Sequence, residues 1–274
     1  MEPGDRRTLV GHVAEIRRYP VKSMQGERLD RATLGPGGLE GDRRFAVIDT
    51  ATGRVASAKN PRKWAGLLDV RAELRDGALV IILPDGSELR NGRADLDAVL
   101  SRLLGRPVAL RDAPPASAEI EIHWPDVAGL PNGDSESVEG LPAGRFFDLA
   151  PLHLLTTASL RRFGELAPAS DFDLRRFRPN IVIETAPSWA GFVEAGWVGR
   201  TVMVGGGSLN VTAPCSRCVM TTLAQSGLPA DQRVLRAAVA HNAATVGVYA
   251  KSDHAGAVAV GEAVWLIDRG VGSG

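Results

Sequence analysis

The chain has 274 residues, of which 44% are apolar and 23% charged, and Lys plus Arg balances Asp plus Glu at 32 each. Such a length supports one large domain or two intimate ones, and such a composition excludes disorder, collagen-like repeats and a disulfide scaffold. Neutrality leaves no global field to attract nucleic acid or a membrane surface, so any anion site must be local.

The opening "MEPGDRRTLV" has neither an apolar core nor a small-residue cleavage site, which predicts a cytoplasmic protein. "GHVAEIRRYPV", "RFAVIDTATGRVASA" and "LVIILPDGSELR" are short, β-branched and separated by turn residues, so strands are expected there. The "DTATGR" turn predicts pairing of Phe45 to Asp49 with Arg54 to Ala58, and "PDGS" predicts pairing of Ala78 to Leu83 with Ser87 to Arg90. "GALVIILP", bounded by Asp76 and Asp85, is far too short to span a membrane.

In "RADLDAVLSRLLGR", Leu96, Val99, Leu100, Leu103 and Leu104 recur at helical spacing, and Gly105 stands where a C-cap belongs. Residues 114–144, with "DAPPASAEI" and "PNGDSESVEG", predict a linker or long loop between an N-terminal β domain (9–113) and a second unit (145–268). In that unit "TASLRRFGEL" predicts a helix capped by Thr157 or a neighbouring hydroxyl. "NIVIE", "WVGRTVMVGGGSLNVT" and "GAVAVGEAVWLID" predict strands, and "PADQRVLRAAVAHNAA" a helix with an acid near its start. The fold class is mainly β, of the α+β type, with a few helices.

Both cysteines lie in "VTAPCSRCVM", as Cys215 and Cys218. In a reducing compartment they are not expected to form a permanent disulfide. Their spacing suits a dithiol couple, half of a zinc site, or one thiolate ligand beside a bystander, and Cys218 could equally be a small buried hydrophobe on a strand. None of the five histidines has His-x-His or His-x3-His spacing, and "CVMTTL" is too β-branched to open a thioredoxin-like helix. The single-ligand reading draws in more neighbours: Pro214 to fix the backbone, Ser216 and Arg217 as donors, and the Thr221 and Thr222 hydroxyls.

Three basic clusters stand at expected strand ends: Lys22 with Ser23, Arg43 with Arg44, and Arg175, Arg176 and Arg178 followed by Asn180. Each could be solvated surface; together they suit one local anion site, with Arg for bidentate grip and Lys as a point charge. His153 and His241 read as ordinary core or surface histidines.

"YPVKS", "GLEGDRRF", "RRFRPNIVI", "PCSRCVMTT" and "VGVYAKSDHAGAVAVGEAVWLI" occur in that order. In this the chain resembles, over about Leu9 to Ile267, the MOSC family, named for the C-terminal domain of molybdenum cofactor sulfurases, with its N-terminal β-barrel partner. Within the family its pattern is similar to that of the mitochondrial amidoxime-reducing component and bacterial reductases of N-hydroxylated compounds.

The resemblance implies a MOSC-type β-barrel core with an N-terminal β-barrel-like domain, and molybdenum cofactor (Mo-molybdopterin) as the bound group. By position, Cys218 matches the molybdenum ligand and Cys215 the bystander. Lys22, Ser23 and Arg43 match contacts to the cofactor's phosphate end, and Arg178, Asn180, Ser216 and Arg217 complete a polar cradle. Asp148 matches an Asp near the cofactor, a candidate acid or a structural anchor.

The implied activity is two-electron removal of oxygen from a small-molecule N-hydroxylated (N–O) substrate. Because the chain has no cysteine-rich ferredoxin domain, electrons are expected from a separate donor of ferredoxin, flavoprotein or cytochrome b5 type. Alternatives are a non-catalytic cofactor carrier or sulfur-transfer module, and a zinc-stabilised interaction module. The chain departs from the family pattern at "LAQSGLPADQ" after the Thr pair, at Lys59 where Arg is common, and at Leu149 after the cofactor-site Asp. These departures bear on the substrate more than on the cofactor.

Overall fold

In the computed structural model, which describes residues 6–114, 117–131 and 133–268, β1 (Arg6–Arg18) is the longest strand. It buries Val10, Val13 and Ile16. After the short strands β2 (Glu27–Leu29), β3 (Arg31–Gly35) and β4 (Gly38–Leu39), β5 (Ala46–Asp49) pairs antiparallel with β9 (Val108–Arg111). The one-turn helix α1 (Pro61–Trp64) leads into β6 (Arg71–Arg75), β7 (Ala78–Ile82) and β8 (Glu88–Arg90), an antiparallel meander whose second hairpin is the expected one.

Helix α2 (Leu96–Leu104) ends at Gly105 in the left-handed conformation, as its spacing predicts. These elements enclose one apolar cluster, including Phe45, Trp64, Leu67, Ile81 and Leu100. The expected pairing of Phe45 to Asp49 with Arg54 to Ala58 forms as a short hairpin: Ile48 bridges Val55, the Asp49 amide donates to Arg54 O at 2.9 Å and the Ala56 amide to Val47 O at 2.8 Å. Beyond it the chain turns away so that the Ala58 amide donates to the Ser23 hydroxyl at 3.0 Å.

The composition of 114–144 suggests a loop, yet β10 (Glu119–Trp124) and β11 (Ser135–Gly140) form a six-pair antiparallel hairpin there. On β10, Ile120 and Ile122 are buried and alternate with Glu119 and Glu121, a half-buried strand pattern diluted by its Pro- and acid-rich surroundings.

The second half opens with β12 (Leu152–Thr156), α3 (Thr157–Leu166) and β13 (Ile181–Thr185), the two strands being parallel. Thr156, not Thr157, caps α3: its hydroxyl accepts from the Ser159 amide at 3.2 Å. Then come β14 (Thr201–Val204), β15 (Gly207–Ser216), α4 (Arg233–Asn242), β16 (Thr245–His254), β17 (Gly256–Ala259) and β18 (Ala263–Asp268).

The sheet order β13-β12-β16-β15-β14-β18-β1, with β1 pairing back onto β13, closes a seven-stranded barrel. The N-terminal strand therefore completes the barrel of the C-terminal half. It approaches β13 so closely that a Cβ on Gly11 would lie 1.9 Å from the Glu184 carbonyl oxygen. The barrel core includes Val13, Leu154, Ile183, Val211, Val248 and Leu266, all buried. Helices α3 and α4 pack outside it over Leu155, Phe163, Phe177, Val234 and Val246.

Candidate functional site

The nine residues singled out from the sequence, Lys22, Ser23, Arg43, Asp148, Arg178, Asn180, Ser216, Arg217 and Cys218, all line one cavity of about 220 Å³. It lies where the end of the barrel meets the N-terminal meander and the β10–β11 hairpin. β1 ends at Arg18, and the next turn carries Tyr19 and Lys22 inward; the Lys22 amide donates to Phe45 O at 2.9 Å. The short turn before β13 delivers Arg178, and the end of β15 delivers Cys215 to Cys218.

Three of these residues, Ser23 (φ 63°), Arg43 (φ 44°) and Arg178 (φ 57°), occupy the left-handed region that side-chain-bearing residues rarely adopt. Such conformations persist where surrounding structure over-determines them, and they concentrate at functional sites.

Tyr19 organises the first basic group. The Arg43 and Arg178 guanidinium carbons lie 4.4 and 4.2 Å from its ring centroid, and its hydroxyl donates to Pro179 O at 3.2 Å. Asp42 accepts from the Tyr19 amide and pairs with Arg43, while Arg178 Nη1 donates to Met24 O at 2.6 Å. Burial, reinforced by Arg43 alongside, brings the Arg178 pKa down to about 10. The cluster thus holds more positive charge than its own partners neutralise.

Lys22 connects this cluster to the rest of the cavity. Its ammonium donates to Phe146 O at 2.9 Å and to Asp148 Oδ1 at 2.5 Å, and Lys59 reaches Asp148 Oδ2 at 3.3 Å. Burial would raise the Asp148 pKa, but the two ammoniums outweigh it and hold the carboxyl well below the usual carboxylate range. Lys22 itself is shifted down, because burial and neighbouring cations exceed the pull of Asp148. For Lys59 the balance reverses: burial lowers its pKa, but Asp148, the Cys218 sulfur and Glu139 raise it further. Lys59, the departure from the family's usual Arg, is therefore part of the site.

The two cysteines occupy different surroundings. Cys215 is buried, and its sulfur accepts from Arg217 Nη1 at 2.8 Å. Burial would raise its pKa, yet His153 and Arg217 outweigh this and favour the thiolate. Cys218 is partly exposed to the cavity and packs beside Ala58, Leu68 and Met220.

His153, read from sequence as ordinary, lies on the cavity wall, with Nε2 2.9 Å from Val246 O. Gly247 makes room for it, since a Cβ there would lie 2.3 Å from His153 Nε2. The Thr221 and Thr222 hydroxyls, expected to face a ligand, are buried and donate to Cys218 O and Val219 O in their own turn. Asn180 is largely spent on the fold: Oδ1 accepts from the His153 amide at 3.1 Å and Nδ2 donates to Arg17 O at 3.2 Å. Among the described residues no three His, Cys, Asp or Glu side chains form a metal-holding group, which removes the ligand set that a zinc module needs.

The MOSC domain model matches residues 143–265, and that of the MOSC N-terminal beta barrel domain matches residues 10–104. The chain belongs to the MOSC family. It is 25% identical over 245 aligned positions to a molybdenum cofactor sulfurase of Anopheles gambiae, an alignment covering 76% of this chain and 30% of that protein. It is also 25% identical over 243 positions to the mitochondrial amidoxime reducing component 2 of Bos taurus, covering 81% of this chain and 69% of that one. The chain thus spans about a third of the length of the sulfurase that it matches. Among solved structures, the YuaD protein from Bacillus subtilis superposes with a TM-score of 0.50 at 11% identity, covering 97% of this chain and 99% of that one, a likeness of fold. No helix among the described residues is long and apolar enough to cross a membrane.

Proposed function

We propose that this MOSC protein binds molybdenum cofactor in the cavity and reduces small N-hydroxylated compounds with electrons from a separate donor protein. The observation that carries this reading is the convergence of five separated sequence stretches on one pocket holding buried cations and an accessible thiol. The donor set fits such a group. Arg217 Nε is buried without a hydrogen-bond partner, Lys22 and Arg178 are buried cations in excess of nearby acids, and Cys218 offers a soft sulfur ligand.

In this reading Lys22, Ser23, Arg43 and Arg178 hold the phosphate, Ser216 and Arg217 the pterin, and Cys218 the metal, while Asn180 braces the cavity wall between His153 and Arg17. When bound, the cofactor supplies the two-electron couple that removes oxygen from an N–O bond. Asp148, between Lys22 and Lys59, favours the charged form of both ammoniums and holds them in place. The Cys215 sulfur accepts from Arg217 Nη1 and helps to fix that guanidinium, whose Nη2 donates to Phe177 O at 3.1 Å. The hairpin and the segment around Phe146 to Leu149 line the cavity.

The test is reduction of benzamidoxime by cofactor-loaded protein with a chemical electron donor. Conversion to benzamidine, lost in Cys218→Ser, is the expected result. Loaded protein that converts no amidoxime is a carrier or sulfur-transfer module, and the reductase reading fails.

A further inference from the structure

The charged groups of the cavity leave one member unaccounted for. Arg43 and Arg178 face the proposed phosphate, Asp148 is shared by Lys22 and Lys59, and Arg217 is held by Cys215. Glu139 lines the same cavity, and among the described residues its carboxylate makes no side-chain hydrogen bond or salt bridge, its electrostatic neighbour being Lys59.

Its direction follows from strand register. Glu139 stands directly across from Ile120, and residues opposite one another in an antiparallel ladder share a face. By the twofold alternation of β10, that face also carries Ile122 and Trp124, and all three line the cavity. The Trp124 indole is fixed there by Nε1–H donating to Ser137 Oγ at 2.9 Å. Glu121, on the opposite face, pairs instead with Lys63 and Arg54.

The hairpin is fastened to the reaction end of the pocket. His123 N–H donates to Lys59 O and Val55 N–H to Glu119 O, at 2.9 and 2.8 Å, so β10 runs beside the segment bearing Lys59. Lys59 in turn senses both Cys218 and Glu139. The result is an apolar, partly aromatic wall with a single carboxylate at its edge, beside the segment that bears Lys59. Leu149, 65% exposed, extends the apolar rim.

We propose that this hairpin face, Ile120, Ile122 and Trp124 with Glu139, is the substrate-selecting wall, and that it favours flat apolar compounds whose nitrogen head is cationic. Aryl N-hydroxyguanidines and the amidinium products of amidoxime reduction have that chemistry. The inference rests on the reductase reading for its substrate class but not for the shape and charge of the wall. A ring against Trp124, which the buried Ile120 and Ile122 back, gains dispersion and desolvation, while the carboxylate selects between a cationic head and its neutral isostere.

The probe pair is benzamidine, cationic at neutral pH, and benzamide, its neutral isostere, titrated calorimetrically into the cofactor-loaded protein. Benzamidine should bind about two- to fivefold tighter, as expected for a solvated charge pair. Glu139→Gln should bring the ratio close to one and Glu139→Lys should invert it. Because Glu139 is exposed, both variants keep the fold.

Equal binding of the two probes by wild type, or a preference that survives Glu139→Gln, overturns the proposal. In turnover, the preference in kcat/KM for phenyl-N-hydroxyguanidine over benzamidoxime should fall by the same factor in Glu139→Gln. Protein that reduces neither compound but keeps the Glu139-dependent benzamidine preference sinks the reductase reading and sustains the wall. Protein that reduces both with no change in ratio does the reverse.

Discussion

Arg178 combines two properties that ordinary packing disfavours: φ of 57° and a buried guanidinium beside a second one. Left-handed backbone costs about 1–2 kcal/mol for such a residue, and mutual repulsion adds to that. An anion bound at the cluster relieves the repulsion. Inorganic pyrophosphate should therefore raise the melting temperature of cofactor-free protein, and Arg178→Met should weaken its apparent affinity at least about tenfold, consistent with loss of a charged hydrogen bond. Equal thermal shifts in both proteins would remove Arg178 from the anion site.

Asp148 allows a prediction in pH. Its folded-state pKa is depressed by Lys22 and Lys59, so the stability it contributes is fully present above its unfolded value, about 4. That stability is lost as pH falls toward the folded value. Asp148→Asn leaves two ammoniums uncompensated and should cost about 3 kcal/mol at pH 7, measured by denaturant unfolding. The gap between the proteins should stay constant down to about pH 5 and narrow below about pH 4. A gap that widens on acidification contradicts the assignment.

Among the elements, β16 shows how a barrel strand is shaped by the site it borders. Gly247 has φ of 76°, and a Cβ there would lie 2.3 Å from His153 Nε2 and 2.5 Å from Leu154 O. Gly247→Ala should destabilise by at least about 2 kcal/mol, from left-handed strain and displacement of His153. In a chain of this size that lowers the melting temperature by about 4–8 °C. An unchanged melting temperature would mean that His153 and β16 are free to shift.

The helices α2 and α3 and the β7–β8 hairpin were legible because their signals are local: apolar periodicity, a C-cap glycine, a Pro-Asp-Gly turn, a hydroxyl at the N-cap. The β10–β11 hairpin was not, since Ile120 and Ile122 stand among prolines and acids that read as loop. Nor was the pairing of β1 with β13 and β18, which is set by barrel closure across most of the chain length.

For the whole molecule, the site arises because barrel closure gathers distant stretches at one end. Charge and motif order marked Lys22, Arg43, Arg178 and Cys218 as candidates, since unlike packing residues they sit as polar groups at strand ends. His153 and Glu139 escaped that reading, and Lys59 stood out only as a departure from the family pattern. A lone lysine, histidine or glutamate has no local pattern, and each acquires meaning through a tertiary neighbour: Asp148, Cys215 and Ile120 respectively. Thr221 and Thr222 erred in the other direction, for their hydroxyls close a turn.

The central claim is that this cavity holds molybdenum cofactor through Cys218, and metal and pterin content test it most directly. Protein made in a host competent for cofactor synthesis should contain molybdenum and pterin near one per chain. Cys218→Ser should lose most of the molybdenum while keeping the fold, and Cys215→Ser should lose much less. Folded wild-type protein that carries neither molybdenum nor pterin, or a Cys218→Ser variant with full metal content, would contradict the account.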